Sequence, residues 1–347
     1  MDNLAHTLAG AALAESGLKR RTSLGMATLL IGANLPDLDV LALLTGSGLS
    51  FRRGWTHGVL AIAVLPMLLA GAMVVWDRVV RRRGGREPAS PVRPRQLLLL
   101  AFVGVLSHPV LDWLNTYGMR WLMPFDGRWF YGDALFIVDP WLWLILGAGV
   151  LIARRWGSPR AGLAGVMVAT IYAGLMVGTA VLGERLVEDG VRAEGVSPDV
   201  VMVGPVLLNP NRRQVVLRQG FRYYTGTLTW LPRPRLVVDE RVVDANWDHP
   251  AAMRAAELPQ ARNFLTWARL PFFVVAEQAD GYTVRIDDMR YSDGTSPSWA
   301  AVEVEVSRSA MPAPDPAVAS NDSSAAVPID GPLAGRGYTF PVEALIR

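Results

Sequence analysis

The chain has 347 residues, of which 51% are hydrophobic and 19% charged, with a mean hydropathy of +0.25 and a net charge of +3. This is too apolar for an ordinary soluble domain and too polar for a chain that lies in a bilayer throughout, so two regions facing different solvents are expected. Cysteine is absent, which excludes disulfides and thiolate ligands and leaves histidine and carboxylates to hold any metal; nor are basic residues interleaved with aromatics as on a nucleic-acid face.

The apolar excess sits in residues 1–183. Residues 2–18 read as a weak apolar helix that could span, tilt or re-enter. Residues 24–44 form a span interrupted by Asn34, Pro36, Asp37 and Asp39. The stretches 58–77, 96–116, 139–153 and 161–183 are the clearest spans, close to the roughly 20 apolar residues that a bilayer core demands. The expected fold is an α-helical integral membrane bundle of five to six membrane segments, followed by a β-rich soluble domain. The start, MDNLAHTLAG, has neither a basic n-region nor a small-residue cleavage site, so no removable signal peptide is expected.

Arginine orients the bundle. Lys19, Arg20 and Arg21, then Arg78, Arg81, Arg82, Arg83, Arg86, Arg93 and Arg95, then Arg154, Arg155 and Arg160, fill alternate loops. The positive-inside rule puts those loops in the cytoplasm. A multi-pass protein of the bacterial cytoplasmic (inner) membrane is expected, with 45–57, 118–138 and everything after 184 on the outer side. Arg52, Arg53, Arg120 and Arg128 break the rule on that side and become candidates for a ligand role.

Residues 184–347 read as an extracytoplasmic β-rich domain. The runs 214–231, 235–243, 282–291 and 301–309 alternate or are β-branched, and are separated by Gly, Pro, Asn and Asp. A helical stretch near 248–269 interrupts them, and 310–335 is a Pro/Ala/Ser-rich loop.

Polar residues inside the apolar half are the chemical signal, because ionisable side chains there are costly. His108 and Asp112 are four apart on one predicted helix and share a face. His6, Asp37 and His108 each lie twelve or thirteen residues from a predicted cytoplasmic boundary, at about 18–20 Å depth for straight helices. Asp112 is one turn nearer the outside, and His57, in Arg52-Arg53-Gly54-Trp55-Thr56-His57-Gly58, must dip inward to join them. His6, Asp37, His57, His108 and Asp112 together offer three nitrogen and at least two oxygen donors, a set suited to a divalent metal: zinc, or manganese or iron.

Each residue also has a plainer reading. A lone intramembrane histidine bonds a neighbouring carbonyl more often than it binds metal, and Asp39 pairs equally well with Arg53. His249 reads as a turn residue, Asp133 and Asp139 as helix caps, and Trp113, Trp121, Trp141 and Trp143 as interface anchors.

His6-Thr7, Asn34-Leu35-Pro36-Asp37-Leu38-Asp39, Arg53-Gly54-Trp55-Thr56-His57 and His108-Pro109-Val110-Leu111-Asp112, followed by Asn115-Thr116-Tyr117-Gly118, occur in that order. Pro124-Phe125, Tyr131-Gly132-Asp133 and Asp139-Pro140 follow as further landmarks. In this set the chain resembles the membrane-bound metal-dependent hydrolase family of YdjM-like proteins over roughly residues 1–185, with a longer soluble tail. Where such members usually carry His-Arg-Gly, this chain has Phe51-Arg52-Arg53-Gly54, so an extra histidine ligand that the resemblance implies is missing or replaced. The resemblance implies hydrolytic activity without naming a substrate.

The expected function is a membrane-embedded hydrolase of an ester or phosphoester, possibly lipid-derived, with its metal site facing the outer side. His6, Asp37, His57, His108 and Asp112 are the expected ligands, Asp39 the general base or the residue orienting a ligand, and Arg53 the holder of an anionic group. The expected partners are the membrane lipid bilayer and a lipid or envelope substrate, without nucleic acid. The alternative is a non-enzymatic membrane protein, a metal or proton pathway or an envelope assembly factor, using the same polar cluster.

Overall fold

The computed structural model of the chain describes residues 1–45, 48–81, 91–310 and 333–340. The chain divides into two compact units, Met1–Leu43 with Phe51–Thr179 and Leu207–Pro210, and Leu44–Ser50 with Ala180–Val206 and Asn211–Arg347.

The N-terminal region is helical: α1 (Asn3–Glu15), α2 (Gly25–Asn34), the single turn α3 (Gly48–Phe51), α4 (Val59–Trp76), α5 (Pro94–Trp113), α6 (Pro140–Trp156) and α7 (Pro159–Ala193). Among the described residues three helical stretches are long and apolar enough to cross a membrane: Val59–Arg81, Pro94–Trp113 and Pro159–Ala193. α1, α2 and α6 have 13, 10 and 17 residues, and at about 1.5 Å per residue each falls short of a roughly 30 Å hydrocarbon core. The expected span over 24–44 is not one helix. α2 ends at Asn34 and the chain continues as tight 3-10 turns over Leu35–Thr45, as Pro36 has no amide to donate to the helix.

Local chemistry sets the helix ends. The Asp2 carboxylate accepts the amides of Leu4 and Ala5 at the start of α1. Asp139 accepts the Leu142 amide at 2.9 Å and is followed by Pro140, which makes it the cap of α6. Asp133, the other expected cap, lies instead in the non-helical stretch before α6, with φ of 47°.

Helices α2 and α5 approach closely through Gly32 and Gly104. A Cβ on Gly104 would stand 3.0 Å from the Leu29 carbonyl oxygen, and one on Gly32 would stand 3.2 Å from the Val105 amide nitrogen. Small residues at such crossings let backbones meet without side chains between them. At one end of this unit the basic residues gather. Lys19 and Arg154 both pair with the buried Glu15 carboxylate, Arg81 donates to Ser23 Oγ at 3.0 Å, and the Arg93 amide donates to Thr22 Oγ1 at 2.8 Å. Arg82, Arg83 and Arg86 lie outside the described residues.

The second unit carries two antiparallel sheets among its described residues. β1 (Val200–Pro205), β2 (Arg212–Gln219), β3 (Arg222–Thr229), β4 (Arg235–Asp244) and β8 (Gly337–Thr339) form one, in the order β1-β2-β3-β4-β8; β5 (Pro271–Gln278), β6 (Gly281–Asp288) and β7 (Val302–Ser307) form the other. The run expected over 214–231 is in fact a hairpin, folded at Gly220 (φ 58°) with Gln219 opposite Arg222. The helical stretch expected near 248–269 is likewise two short helices, α8 (Pro250–Ala256) and α9 (Pro259–Leu265), with His249 capping the first. Strands β1, β5 and β8 had no counterpart among the expected runs. Residues 311–332, most of the Pro/Ala/Ser-rich stretch, lie outside the described residues.

Leu186, Val187 and Val191 from the last turns of α7 pack with Val203, Val215, Leu217, Leu228 and Leu236 to form the larger core of this unit. Beside the smaller sheet, Arg290 is buried and bonds Asp288 through Nε and Nη2 at 3.0 and 2.9 Å, with its guanidinium over the Trp267 ring. Burial pushes the Tyr223 phenol up to about 12, and its hydroxyl donates to the Pro271 carbonyl at 3.1 Å. Leu228 is fully buried, so Leu228→Ala should cost this unit about 2–5 kcal/mol. Denaturant unfolding followed by tryptophan fluorescence measures it; a change within error would mean that Leu228 is not in a packed core.

Candidate metal centre

Three pieces of the first unit bring the polar side chains together. Asp37 and Asp39 lie on the 3-10 turns after α2, His57 on the turn that leads into α4, and His108 and Asp112 one turn apart on α5. The His57 and His108 Nε2 atoms are 3.1 Å apart. Asp112 Oδ2 lies 3.2 Å from His57 Nε2 and 3.3 Å from His108 Nε2, and Asp37 Oδ1 lies 3.6 Å from His108 Nε2. One donor atom from each of Asp37, His57, His108 and Asp112 falls within 4.8 Å of all the others. His57, His108 and Asp112 are fully buried, whereas the Asp37 side chain is 13% exposed.

The far sides of the two rings fix which nitrogen faces inward. His108 Nδ1 is 2.7 Å from the Ala33 carbonyl oxygen, which can only accept, so Nδ1 carries the hydrogen and Nε2 presents a lone pair in the neutral ring. His57 Nδ1 faces Thr56 Oγ1 at 2.9 Å and Asp39 Oδ2 at 3.5 Å, which favours the same tautomer. Two nitrogen lone pairs and two carboxylates thus converge, and Asp112 Oδ2 is buried without a hydrogen-bond partner. With both rings neutral in that tautomer, such a set repels itself, and a cation or a proton among its members relieves the repulsion. Its spacing matches that role: donors about 2.0–2.1 Å from a tetrahedral zinc stand about 3.3 Å from one another. The donor set therefore fits a divalent metal.

Asp112 divides its two oxygens. Oδ2 faces the histidine pair, while Oδ1 receives the Met1 amine, Arg53 Nη2 at 3.1 Å and His6 Nε2 at 3.3 Å. His6 stacks on His108 with ring centroids 3.7 Å apart, next to the four-residue group but not part of it. Arg53 is nearly buried. Its guanidinium lies over the Tyr117 ring and donates to Asn115 Oδ1 at 3.1 Å and to the Gly118 carbonyl at 3.4 Å, and its amide donates to Asp39 Oδ2 at 2.7 Å. Its φ of 50° is uncommon for a non-glycine residue and fits a backbone held from several sides.

Of the arginines on the expected outer side, Arg52 reaches Asp37 Oδ1 at 3.7 Å and Asp39 Oδ1 at 3.5 Å, and Arg120 donates to the Arg52 carbonyl at 3.0 Å. Gly54 lets the Arg120 guanidinium pack against the turn carrying His57, and a Cβ on Gly58 would meet the Met123 carbonyl, a backbone group that cannot rotate away, so that turn depends on Gly58. Arg128 is solvent-exposed and pairs with Asp126, away from these contacts. Sequence reasoning missed the parts played by the Ala33 carbonyl, Asn115 and Tyr117. Asn115 and Tyr117 stood in the quoted motif but without a role, and a backbone carbonyl leaves no mark in a sequence.

A family model described as YdjM inner membrane protein matches residues 1–182, over half of the chain and including every residue of the centre. The chain is also similar to the uncharacterized protein YfhP of Bacillus subtilis (strain 168), with 24% identity over 136 residues, which is 39% of this chain. It spans 38% of that relative's length. No solved structure matches the chain significantly. With the family matched across the whole helical region and its apolar helices in place, the chain is a membrane protein and belongs to the YdjM inner membrane protein family.

Proposed function

We propose that the helical region is a membrane-embedded, metal-dependent hydrolase that cleaves an ester or phosphoester, with its site open to the outer side of the inner membrane. One observation carries this reading: two imidazoles and two carboxylates, from His57, His108, Asp112 and Asp37, bring one donor atom each to within 4.8 Å of all the others, three of the four side chains being fully buried. Zinc suits that nitrogen and oxygen set, as do manganese and iron. A divalent ion held there supplies Lewis-acid chemistry, polarising a substrate oxygen and easing the deprotonation of water.

The protein's own groups do the rest. The Ala33 carbonyl holds the His108 imidazole by its outer nitrogen, and Thr56 Oγ1 at 2.9 Å with Asp39 Oδ2 at 3.5 Å faces that of His57, an arrangement that fixes ring orientation and raises ligand basicity. Asp39 thereby fits the orienting role, and its Oδ1, buried without a hydrogen-bond partner, is the atom left to accept a proton. Arg53 holds Asp112 in place, and His6 offers one more nitrogen beside Asp112 Oδ1.

The helix ends support the outward orientation. α2 and α5 begin near Thr22, with the basic residues, and reach the centre at their other ends, through Asp37 and His108. On this reading α1, α2 and α6 lie in the membrane with the three long helices, giving the five-to-six-segment bundle over 1–183 and an extracytoplasmic domain over 184–347. Substrate then enters from the lipid bilayer or the envelope.

The protein purified in mild detergent should carry a bound transition metal, measured by inductively coupled plasma mass spectrometry. His108→Ala should lose it and Asp37→Ala should weaken it. A metal-free wild type after gentle purification would remove the basis of this reading. Metal without turnover of a panel of ester and phosphoester lipids would favour the non-enzymatic alternative.

A further inference from the structure

The buried centre has an exposed edge, and a cation guards it. Asp37 is the only one of the four grouped donors with any exposure, and the side chain that touches it from outside is Arg52, itself 23% exposed. Arg52 is fixed at its backbone, since the buried Arg120 guanidinium donates to its carbonyl at 3.0 Å. The side chain is less committed. Its Nε has no hydrogen-bond partner, and its contacts to Asp37 and Asp39 are long, at 3.7 and 3.5 Å. Arg53 differs in burial and in its terminal nitrogens: it is buried, and although its Nε is unpartnered too, its Nη atoms are taken up by Asp112, Asn115 and Gly118 at 3.1–3.4 Å.

Charge then selects the ligand. The carboxylates of Asp37, Asp39 and Asp112 are already matched in number by the guanidinium groups of Arg52, Arg53 and Arg120, before the Met1 amine on Asp112 is counted. A divalent cation among the donors leaves a positive excess in a poorly solvated place, which an anion relieves and a neutral ester does not. A guanidinium beside a metal is suited to two oxygens of one tetrahedral anion, because its fork donates in parallel. Close in sequence to Asp37 and Arg52 stand apolar residues that are exposed: Leu38 by 57%, Leu41 by 61% and Trp55 by 51%.

We propose that Arg52, rather than Arg53, is the anion-binding residue of this site, and that its ligand is the phosphate group of a phosphomonoester or phosphodiester carried by an amphiphile. This rests on the metal-dependent hydrolase reading and narrows its substrate from esters in general to phosphoesters.

Native mass spectrometry of the detergent-solubilised full chain tests it, because bound metal and bound ligand appear in one spectrum. The probes are inorganic phosphate, short-chain phosphatidic acid and the corresponding diacylglycerol. Phosphatidic acid should bind metal-loaded wild type at least about tenfold more tightly than Arg52→Gln, as expected for loss of charge-assisted hydrogen bonds. Arg52→Lys should recover part of the loss, Arg128→Gln should bind like wild type, and diacylglycerol should not distinguish the variants. Equal phosphatidic acid binding by wild type and Arg52→Gln, with metal kept in both, overturns this assignment and leaves the hydrolase reading standing. A wild type without metal overturns both. Inorganic phosphate binding as tightly as phosphatidic acid, and lost in Arg52→Gln, keeps Arg52 as the phosphate site but overturns the amphiphile as its carrier.

Discussion

Asp112→Asn is expected to strip the metal and to destabilise the helical unit by about 3–5 kcal/mol, the usual cost of removing one partner from a buried ion pair. Asparagine keeps the shape of the side chain, so packing is not what changes. What goes is the charge that faces Arg53 Nη2 at 3.1 Å on one oxygen and the two histidine Nε2 atoms at 3.2 and 3.3 Å on the other. The guanidinium of Arg53 is then left buried without its counter-ion, and a carboxylate donor becomes a weaker amide oxygen. Metal content and the thermal midpoint in detergent, followed by circular dichroism, measure the two effects. Asp126→Asn, which removes an exposed carboxylate paired with Arg128, is the control and should change neither. Wild-type metal content and midpoint in Asp112→Asn would show that the centre is not built on this residue.

Gly104→Leu should have a comparable effect without touching any ligand. A Cβ at this position stands 3.0 Å from the Leu29 carbonyl oxygen and 3.3 Å from Gly32 Cα, both backbone atoms that cannot rotate away. A leucine must push α2 off α5, at an expected cost of about 3 kcal/mol for overpacking a tight interface. The same displacement carries the Ala33 carbonyl away from His108 Nδ1, now 2.7 Å distant, so metal retention should fall with stability. Gly104→Ala should show a smaller effect in the same direction. Gly71→Leu, in α4 with nothing within 4 Å of its Cβ, should show none. The midpoint and metal content again decide, and a Gly104→Leu protein that melts and binds like wild type would refute the argument.

The sequence made some parts of this centre legible and hid others. His6, Asp37 and His108 stand at matching distances from basic boundaries, and helical rise turns such spacing into depth. That pointed to convergence between segments far apart in the chain. His57 could not be placed this way, because it sits on an irregular turn whose path depends on Gly58 passing against the Met123 carbonyl. Arg53 looked like an anion holder because an arginine outside the cytoplasmic loops is conspicuous. Its contacts to Asp112, Asn115 and Gly118, which no spacing announced, set it against the centre's own carboxylate. In the second unit, alternation revealed the central strands but ran β2 and β3 together, since Gly220 marks a turn only once its neighbours pair across it.

The sequence by itself determined what must be buried and what the donors are. Long apolar stretches, a β-branched tail and the absence of cysteine leave few alternatives, because transfer free energy and donor chemistry are properties of composition and spacing. The tertiary structure alone decided which donors meet, which nitrogen of each histidine faces inward, and which arginine lies beside the partly exposed Asp37. Those outcomes depend on contacts of 3–4 Å between segments tens of residues apart. They are set by helix crossings and turns that no local pattern encodes.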